Sequence, residues 1–117
     1  MKAGQLIAIG GELYEYGKYD EFLKMHIAYE VMIDEDGALT VTYVPYVFTD
    51  KDLTHNEVNF TKNQWYGVVA HFIREGNFDL NEEEMEDATA DIVERCFAYG
   101  IPKFHELPEY IADYMNR

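Results

Sequence analysis

The first half of the chain shows the alternating pattern of β-strands. Short apolar or aromatic runs occur at Leu6–Ile9 and at residues 13–16. Gly10 and Gly11 stand between them and suit the positive dihedral angles of a tight hairpin turn. The pattern therefore predicts a β-hairpin at the start of the chain.

A second hairpin is predicted by a longer alternation. Every second residue from position 25 to position 33 is apolar, which is typical of a half-buried strand: Met25, Ile27, Tyr29, Val31 and Ile33. Residues 34–37 have the composition of a turn, and a return strand starts at Leu39. The alternation changes phase near Val44 and Pro45, which predicts a β-bulge or an edge position there.

After residue 60 the apolar residues recur three and four positions apart, as on one face of a helix. Thr61 and Gln64 form a capping-box pattern, Phe60 and Trp65 occupy the positions of a hydrophobic staple, and Gly76 is expected to end this helix. A first helix is therefore predicted between residues 61 and 76.

A second helix is predicted from Asn81, with Glu84 completing its capping box, to Gly100. Its expected apolar stripe is Met85, Ala88, Ile92, Val93, Cys96 and Phe97. A short third helix is expected to begin near Pro108. The sequence as a whole predicts an α+β fold: an antiparallel sheet of about four strands in the first half, covered on one face by two or three helices from the second half. We expect a single domain over residues 1–117.

Composition limits the function further. The 117 residues are 48% hydrophobic and carry a formal net charge of -14. Such a surface repels nucleic acids and anionic membranes, and its self-repulsion leans towards a monomer. The chain contains no serine, which excludes a serine nucleophile. Since the apolar run at Leu6–Ile9 is too short for a signal peptide or a membrane span, we expect a cytoplasmic protein.

Metal, cofactor and catalytic motifs are not found in the sequence. His26, His55, His71 and His105 lie far apart, and a pairing of His71 with a carboxylate four residues later would supply too few ligands for zinc. Cys96 lies on the predicted apolar stripe, where a thiol is expected to be buried and inert. We therefore expect no cofactor, no metal and no enzymatic activity.

The most informative segment is the predicted second helix, where seven of the thirteen residues from Glu82 to Glu94 are acidic. Four of them fall within about 80° of one another in helical projection, opposite the apolar stripe, and form a row: Glu83, Asp87, Asp91 and Glu94. Steps of four residues separate the charges by roughly 6 Å, near the spacing of successive phosphates on a nucleic-acid strand.

A solvated helix face is the simpler interpretation of this row. Acidic residues are favoured in the first turn of a helix, where Glu84 also lies. The later acids are outside that turn, and like charges four residues apart destabilise a helix by roughly 0.2 to 0.5 kcal/mol per pair. Further acids could extend a binding surface, although turn formation alone would explain them: Asp34, Glu35, Asp36, Asp50 and Asp52.

A small acidic domain with the row of Glu83, Asp87, Asp91 and Glu94 resembles the DNA-mimic proteins, and this resemblance rests on size, charge and one helix. It implies a basic DNA-binding partner, such as an HU-type nucleoid protein, a repressor or a defence nuclease. It also implies competition with DNA, in which carboxylates engage the Lys and Arg residues that normally neutralise phosphates, so that affinity falls as salt rises.

Two other functions remain open. The chain could be an immunity protein that neutralises a basic toxin by a similar electrostatic match, and an adjacent toxin gene would favour that interpretation. It could also be a small enzyme that uses paired carboxylates, against which stand its short length and the lack of nucleotide, metal and nucleophile motifs.

Overall fold

An antiparallel β-sheet of four strands occupies the first half of the computed structural model, which describes residues 1–54 and 58–116. The strands pair in sequence order and are β1 (Leu6–Ile9), β2 (Glu12–Asp20), β3 (Met25–Ile33) and β4 (Leu39–Phe48). A short 3₁₀ helix at Asp50–Thr54 follows the sheet.

Among the described residues of the second half there are three α-helices: α1 (Lys62–Glu75), α2 (Glu82–Tyr99) and α3 (Leu107–Met115). A 3₁₀ turn at Phe104–Glu106 leads directly into α3. The predicted α+β class, with a four-stranded antiparallel sheet followed by three helices, is confirmed. Within the described part of the chain, none of the helices combines the length and apolar character needed to cross a membrane.

The chain forms two compact units. The sheet unit comprises Met1–Ile33 and Leu39–Asn59, and the helical unit comprises Asp34–Ala38 and Phe60–Arg117. The turn between β3 and β4 therefore belongs to the helical unit. The expectation of a single domain stays a prediction.

The hairpins of the sheet unit follow from their glycines and bulges. Gly10 and Gly11 have φ angles of 59° and 84°, which confirms the predicted tight turn between β1 and β2. The pairing of β3 with β4 shifts register beyond Tyr29, and Tyr43 on β4 has a φ of 60°. A bulge therefore occurs near Pro45, and β4 is an edge strand of the sheet. Proline is compatible with an edge strand because it has no N–H to donate to a neighbouring strand.

The core of the sheet unit differs in phase from the simple alternation in the sequence. Its buried cluster joins residues from all four strands: Ile7, Ile9, Tyr16, Ala28 and Phe48. Ala28 is completely buried, whereas Tyr29 in the predicted apolar set is only half-buried. The predicted apolar set of β3 is therefore only part of its buried side: Val31 is buried, but Ala28, from the alternate positions, is buried as well and packs among large aromatic neighbours.

The helices begin and end where the sequence predicts. Thr61 and Gln64 form both hydrogen bonds of a capping box at the start of α1, and the rings of Phe60 and Trp65 lie 5.3 Å apart as a staple. Gly76 ends α1 in a right-handed conformation. A Cβ there would lie 2.4 Å from the ring of Phe78, so a larger residue at this position would have to displace that ring.

Two glycines hold the β3–β4 turn against α1 inside the helical unit. A Cβ on Gly67 would lie 1.8 Å from the carbonyl oxygen of Gly37. Gly37 has a φ of 88°, and a Cβ there would lie 2.6 Å from the carbonyl oxygen of Asn63. The turn backbone therefore touches the helix backbone at a position where only glycine fits, and this contact fixes the acidic turn relative to α1.

Candidate acidic binding surface

Helix α2 starts with a complete capping box. The Asn81 side chain accepts a hydrogen bond from the Glu84 N–H at 2.8 Å, and the Glu84 carboxylate accepts one from the Asn81 N–H at 3.1 Å. Glu82 and Glu83 share this first turn, where the helix dipole favours negative charge. The predicted site residue Glu84 therefore has a structural role at the helix start.

The buried side of α2 determines which acids face solvent. Its buried residues are Ala88, Thr89, Ile92, Val93 and Cys96. On the opposite side, Glu83, Asp87 and Glu94 are exposed. Asp91 lies beside them and is half-buried. We call the exposed side that contains Glu83, Asp87, Glu94 and Phe97 the acidic face of α2.

Asp91 makes two internal contacts. The hydroxyl of Tyr114 donates a 2.5 Å hydrogen bond to its carboxylate, and Arg95 Nε donates one of 3.2 Å. The Tyr114 bond, followed by the Arg95 contacts, holds the pKa of Asp91 below its usual value. The same interactions raise the pKa of Tyr114 and of Arg95. Asp91 therefore joins α2 to α3 and is already neutralised by a cation of the chain.

Glu94 is also paired within the helical unit. Lys62 Nζ lies 2.6 Å from its carboxylate and 5.7 Å from the centre of the Phe97 ring. The hydrogen bond to Glu94 raises the pKa of Lys62. Since Lys62 lies at the start of α1, this contact crosses from one helix to the next.

Two members of the predicted row remain open to a partner. Within residues 1–54 and 58–116, the carboxylates of Glu83 and Asp87 form no hydrogen bond or ion pair. The neighbouring Glu86 is exposed as well. The row is therefore divided into an open half near the helix start and a half that the chain's own Lys62 and Arg95 neutralise.

The structure brings one acid of the β3–β4 turn close to α2. Asp36 lines a cavity of about 350 Å³ together with Glu82, Glu86 and Arg74. Asp34 and Glu35 are exposed in the same turn, where Asp34 accepts 2.9 Å hydrogen bonds from the N–H groups of Asp36 and Ala38. Turn formation thus explains Asp34, while Asp36 extends the acidic surface at the start of α2.

Asp50 and Asp52 belong to the sheet unit and are engaged locally. Asp50 lies 2.6 Å from His26 Nε2, while Tyr16 and His26 Nδ1 are 2.8 Å apart. Asp52 accepts a 2.8 Å hydrogen bond from the Thr49 N–H. Both carboxylates are therefore already engaged by contacts within the sheet unit.

A shallow groove of about 640 Å³ runs between α2 and α3. Its acidic lining consists of Glu84, Asp87 and Asp91, while Arg95 and Tyr114 also border it. Asp87 therefore lies at the boundary between this groove and the acidic face of α2. The groove places the open Asp87 next to the neutralised Asp91.

Other candidate chemistry consists of isolated pairs. His71 Nε2 lies 3.1 Å from Glu75, while His55 is outside the described residues. In the parts of the chain for which the structure gives positions, no three His, Cys, Asp or Glu side chains converge as metal ligands do. Burial raises the pKa of the Cys96 thiol, which opposes formation of a nucleophilic thiolate.

One sequence prediction on α2 was wrong, and several contacts were missed. Phe97 was expected on the buried stripe, but its side chain is 43% exposed. It projects about 40° beyond Val93, towards the acidic face. Lys62 and Tyr114 were missed because they are distant in sequence, whereas the Asp91–Arg95 spacing of four residues was a visible signal.

A change at Tyr114 tests the role of Asp91. A carboxylate with a depressed pKa contributes stability that is present above the pKa of the unfolded chain and is lost as the pH falls through the folded-state pKa. Tyr114→Phe removes the main cause of this depression. We expect it to lower the free energy of unfolding at about pH 7, and we expect its difference from wild type to shrink towards about pH 3.

Urea unfolding of both proteins at the two pH values measures this effect, and an NMR titration of Asp91 should show a higher pKa in the variant. An equal stability difference at both pH values would contradict the assignment. Because Asp91 has this structural role, Asp91→Lys is expected to disturb the α2–α3 contact as well as any partner contact.

Compared with known protein families, with curated proteins and with solved structures, the chain shows no significant match.

Proposed function

We propose that the chain is an acidic DNA-mimic protein that binds a basic DNA-binding protein and competes with DNA. The observation that carries this proposal is the acidic face of α2, where Glu83 and Asp87 are exposed and have no internal partner among the described residues. Their spacing of one helical turn, roughly 6 Å, is close to that of successive phosphates.

The position of the open carboxylates supports the proposal. A helix that needs only solubility can interleave Lys or Arg with its acids, because opposite charges four residues apart stabilise a helix. This arrangement occurs at Asp91 and Arg95 but not at Glu83 and Asp87. The N-terminal half of α2 keeps an excess of negative charge, with Glu82, Glu86 and Asp36 around the nearby cavity and one cation, Arg74, 3.9 Å from Glu82.

The partner of this surface carries a cationic groove or patch that normally receives phosphates. An HU-type nucleoid protein, a repressor and a defence nuclease all have this chemistry, and the proposed location is the cytoplasm. The contacts at the solvent-accessible rim of such an interface are between opposite charges. Added salt should therefore weaken the binding and slow the association of the two proteins.

Displacement of a labelled DNA duplex from an HU-type protein tests the function. We expect the chain to release the duplex at low salt, with an apparent affinity that decreases as the salt concentration rises. Polyglutamate of matched total charge is the control, because it has the same charge without a folded arrangement of its carboxylates. Equal displacement by polyglutamate would contradict a specific arrangement of carboxylates, and no displacement would contradict this choice of partner.

Lys62→Ala is expected to strengthen binding about two- to five-fold, because it frees the Glu94 carboxylate for a partner. Lys18→Ala is the matched control, since it makes the same change in net charge at an exposed position of the sheet unit. Titration calorimetry of both variants against the same basic protein measures the difference. If the two variants bind equally, Glu94 does not contribute to the interface.

A further inference from the structure

Phe97 places an aromatic ring at the C-terminal end of the acidic face of α2. Phe97 is 43% exposed and follows Glu94 by three residues, so the two side chains are neighbours on the helix surface. Phe97 lies about 21 Å along the axis from Glu83 and about 40° from it in projection. Acids and ring therefore form one strip of α2.

Small residues accompany the ring along this strip. Ala98 is exposed and Ala90 is half-buried. Their projected directions fall on the same side of α2 as Glu83 and Phe97. A partner's side chains can therefore approach the helix closely between the acids and beside the ring.

The contacts of Lys62 show that the C-terminal end of the strip binds a cation. The ammonium group of Lys62 is held between the Glu94 carboxylate, at 2.6 Å, and the Phe97 ring, at 5.7 Å from its centre. A carboxylate beside an aromatic face binds a cation by charge attraction and by its interaction with the ring. The exposed part of the ring remains available for apolar contact.

We propose that Phe97 is an apolar anchor for a basic protein partner whose cationic patch borders an exposed apolar side chain. This inference rests on the proposed function and adds the chemistry of the partner's surface. Charge selects this occupant, because a second copy of the chain would bring like charges against Glu83 and Asp87. DNA is repelled by the same acids and has no apolar side chain to offer.

The anchor and the acids have different effects on binding. Charges at the solvent-accessible rim of an interface govern the rate of association and its salt dependence. A desolvated apolar contact near these charges slows dissociation and is insensitive to salt. A mimic with both features binds the protein surface through a contact that DNA cannot make. This arrangement lets a short acidic strip compete with a longer polyanion.

A double-mutant cycle with synthetic peptides tests the anchor. The probes are alanine-based helical peptides of about 18 residues, long enough to span the strip, with lysines along one face and a leucine at either end of that face. Matched peptides carry alanine in place of the leucine. Each peptide is titrated at low salt into the wild-type protein and into Phe97→Ala.

We expect the leucine to raise the affinity for the wild type about five-fold in at least one of the two peptide designs, and for Phe97→Ala less than about two-fold. Phe97→Leu, which keeps an apolar side chain, should retain most of the gain. Tyr99→Ala is the control, since Tyr99 is 88% exposed and projects from the opposite side of the same helix end. It should leave the leucine effect unchanged.

The results separate this inference from the proposed function. An equal leucine effect in the wild type and in Phe97→Ala, with salt-sensitive binding of the lysine peptides, would overturn the anchor and leave the acidic surface in place. Lysine peptides that bind neither protein would overturn both. Unfolding curves of each variant show that changes in affinity do not come from loss of the fold.

Discussion

Reversing the charge of Glu83 and Asp87 together is expected to lower the affinity for a basic DNA-binding protein about 100-fold, or about 2.7 kcal/mol. Each substitution to lysine replaces an attraction with a repulsion, and close interfacial charge pairs couple by about 1.5 kcal/mol or more. Neither side chain has an internal partner within the described residues. The helical fold should therefore persist, and competition titration of a labelled DNA duplex measures the loss.

Glu12→Lys combined with Glu21→Lys is the matched control. Both positions are exposed in the sheet unit, and the pair changes the net charge by the same amount. We expect this control to weaken binding only through the general loss of negative charge, by about three-fold or less at physiological salt. Equal losses in the two double variants would mean that binding depends on net charge and not on α2.

Gly67→Ala is expected to destabilise the helical unit by about 3 kcal/mol or more. The new methyl group would lie 1.8 Å from the Gly37 carbonyl oxygen, and because that neighbour is backbone, no side-chain movement can relieve the clash. The β3–β4 turn would have to leave α1, which would also move Asp36 away from the cavity beside α2. Urea unfolding followed by far-ultraviolet circular dichroism measures the cost.

Gly10→Ala is a suitable comparison for this substitution. Gly10 also has a positive φ, of 59°, but a Cβ there would meet nothing within 4 Å. Its expected cost is therefore only that of the left-handed backbone, about 1 to 2 kcal/mol. If Gly67→Ala were no more destabilising than Gly10→Ala, this result would contradict the close contact between the β3–β4 turn and α1.

The element boundaries could be predicted because local signals specify them. The capping boxes at Thr61 and Asn81 each fix a helix start through hydrogen bonds between residues three apart in sequence. The Gly10-Gly11 pair likewise determines its own hairpin. These interactions need no information from the rest of the chain, so a reading of short segments recovers them.

The sheet core was harder to predict because it depends on bulges and on partners from other strands. The register shifts between Tyr16 and Lys18 and again beyond Tyr29. Each shift changes which residues share a face, since side chains alternate along a strand. The complete burial of Ala28 among aromatic rings follows from this register and not from its own hydrophobicity.

The candidate surface was predicted in outline, and its division was not. Helical periodicity placed Glu83, Asp87, Asp91 and Glu94 on one side of α2, which the burial of the opposite side supports. The neutralisation of Glu94 depends on Lys62, and the main hydrogen bond to Asp91 comes from Tyr114, and both of these residues lie on other helices. Such tertiary pairs leave no local pattern in a single sequence.

NMR mapping of the bound surface tests the central claim most directly. Labelled protein is titrated with the basic DNA-binding protein that it displaces from DNA, beginning with an HU-type protein. We predict that the largest changes in amide chemical shift occur along the exposed side of α2, at Glu83, Asp87 and Phe97. At high salt, the changes at Glu83 and Asp87 should disappear. Shifts confined to the sheet unit, with α2 unchanged at saturating partner, would contradict it.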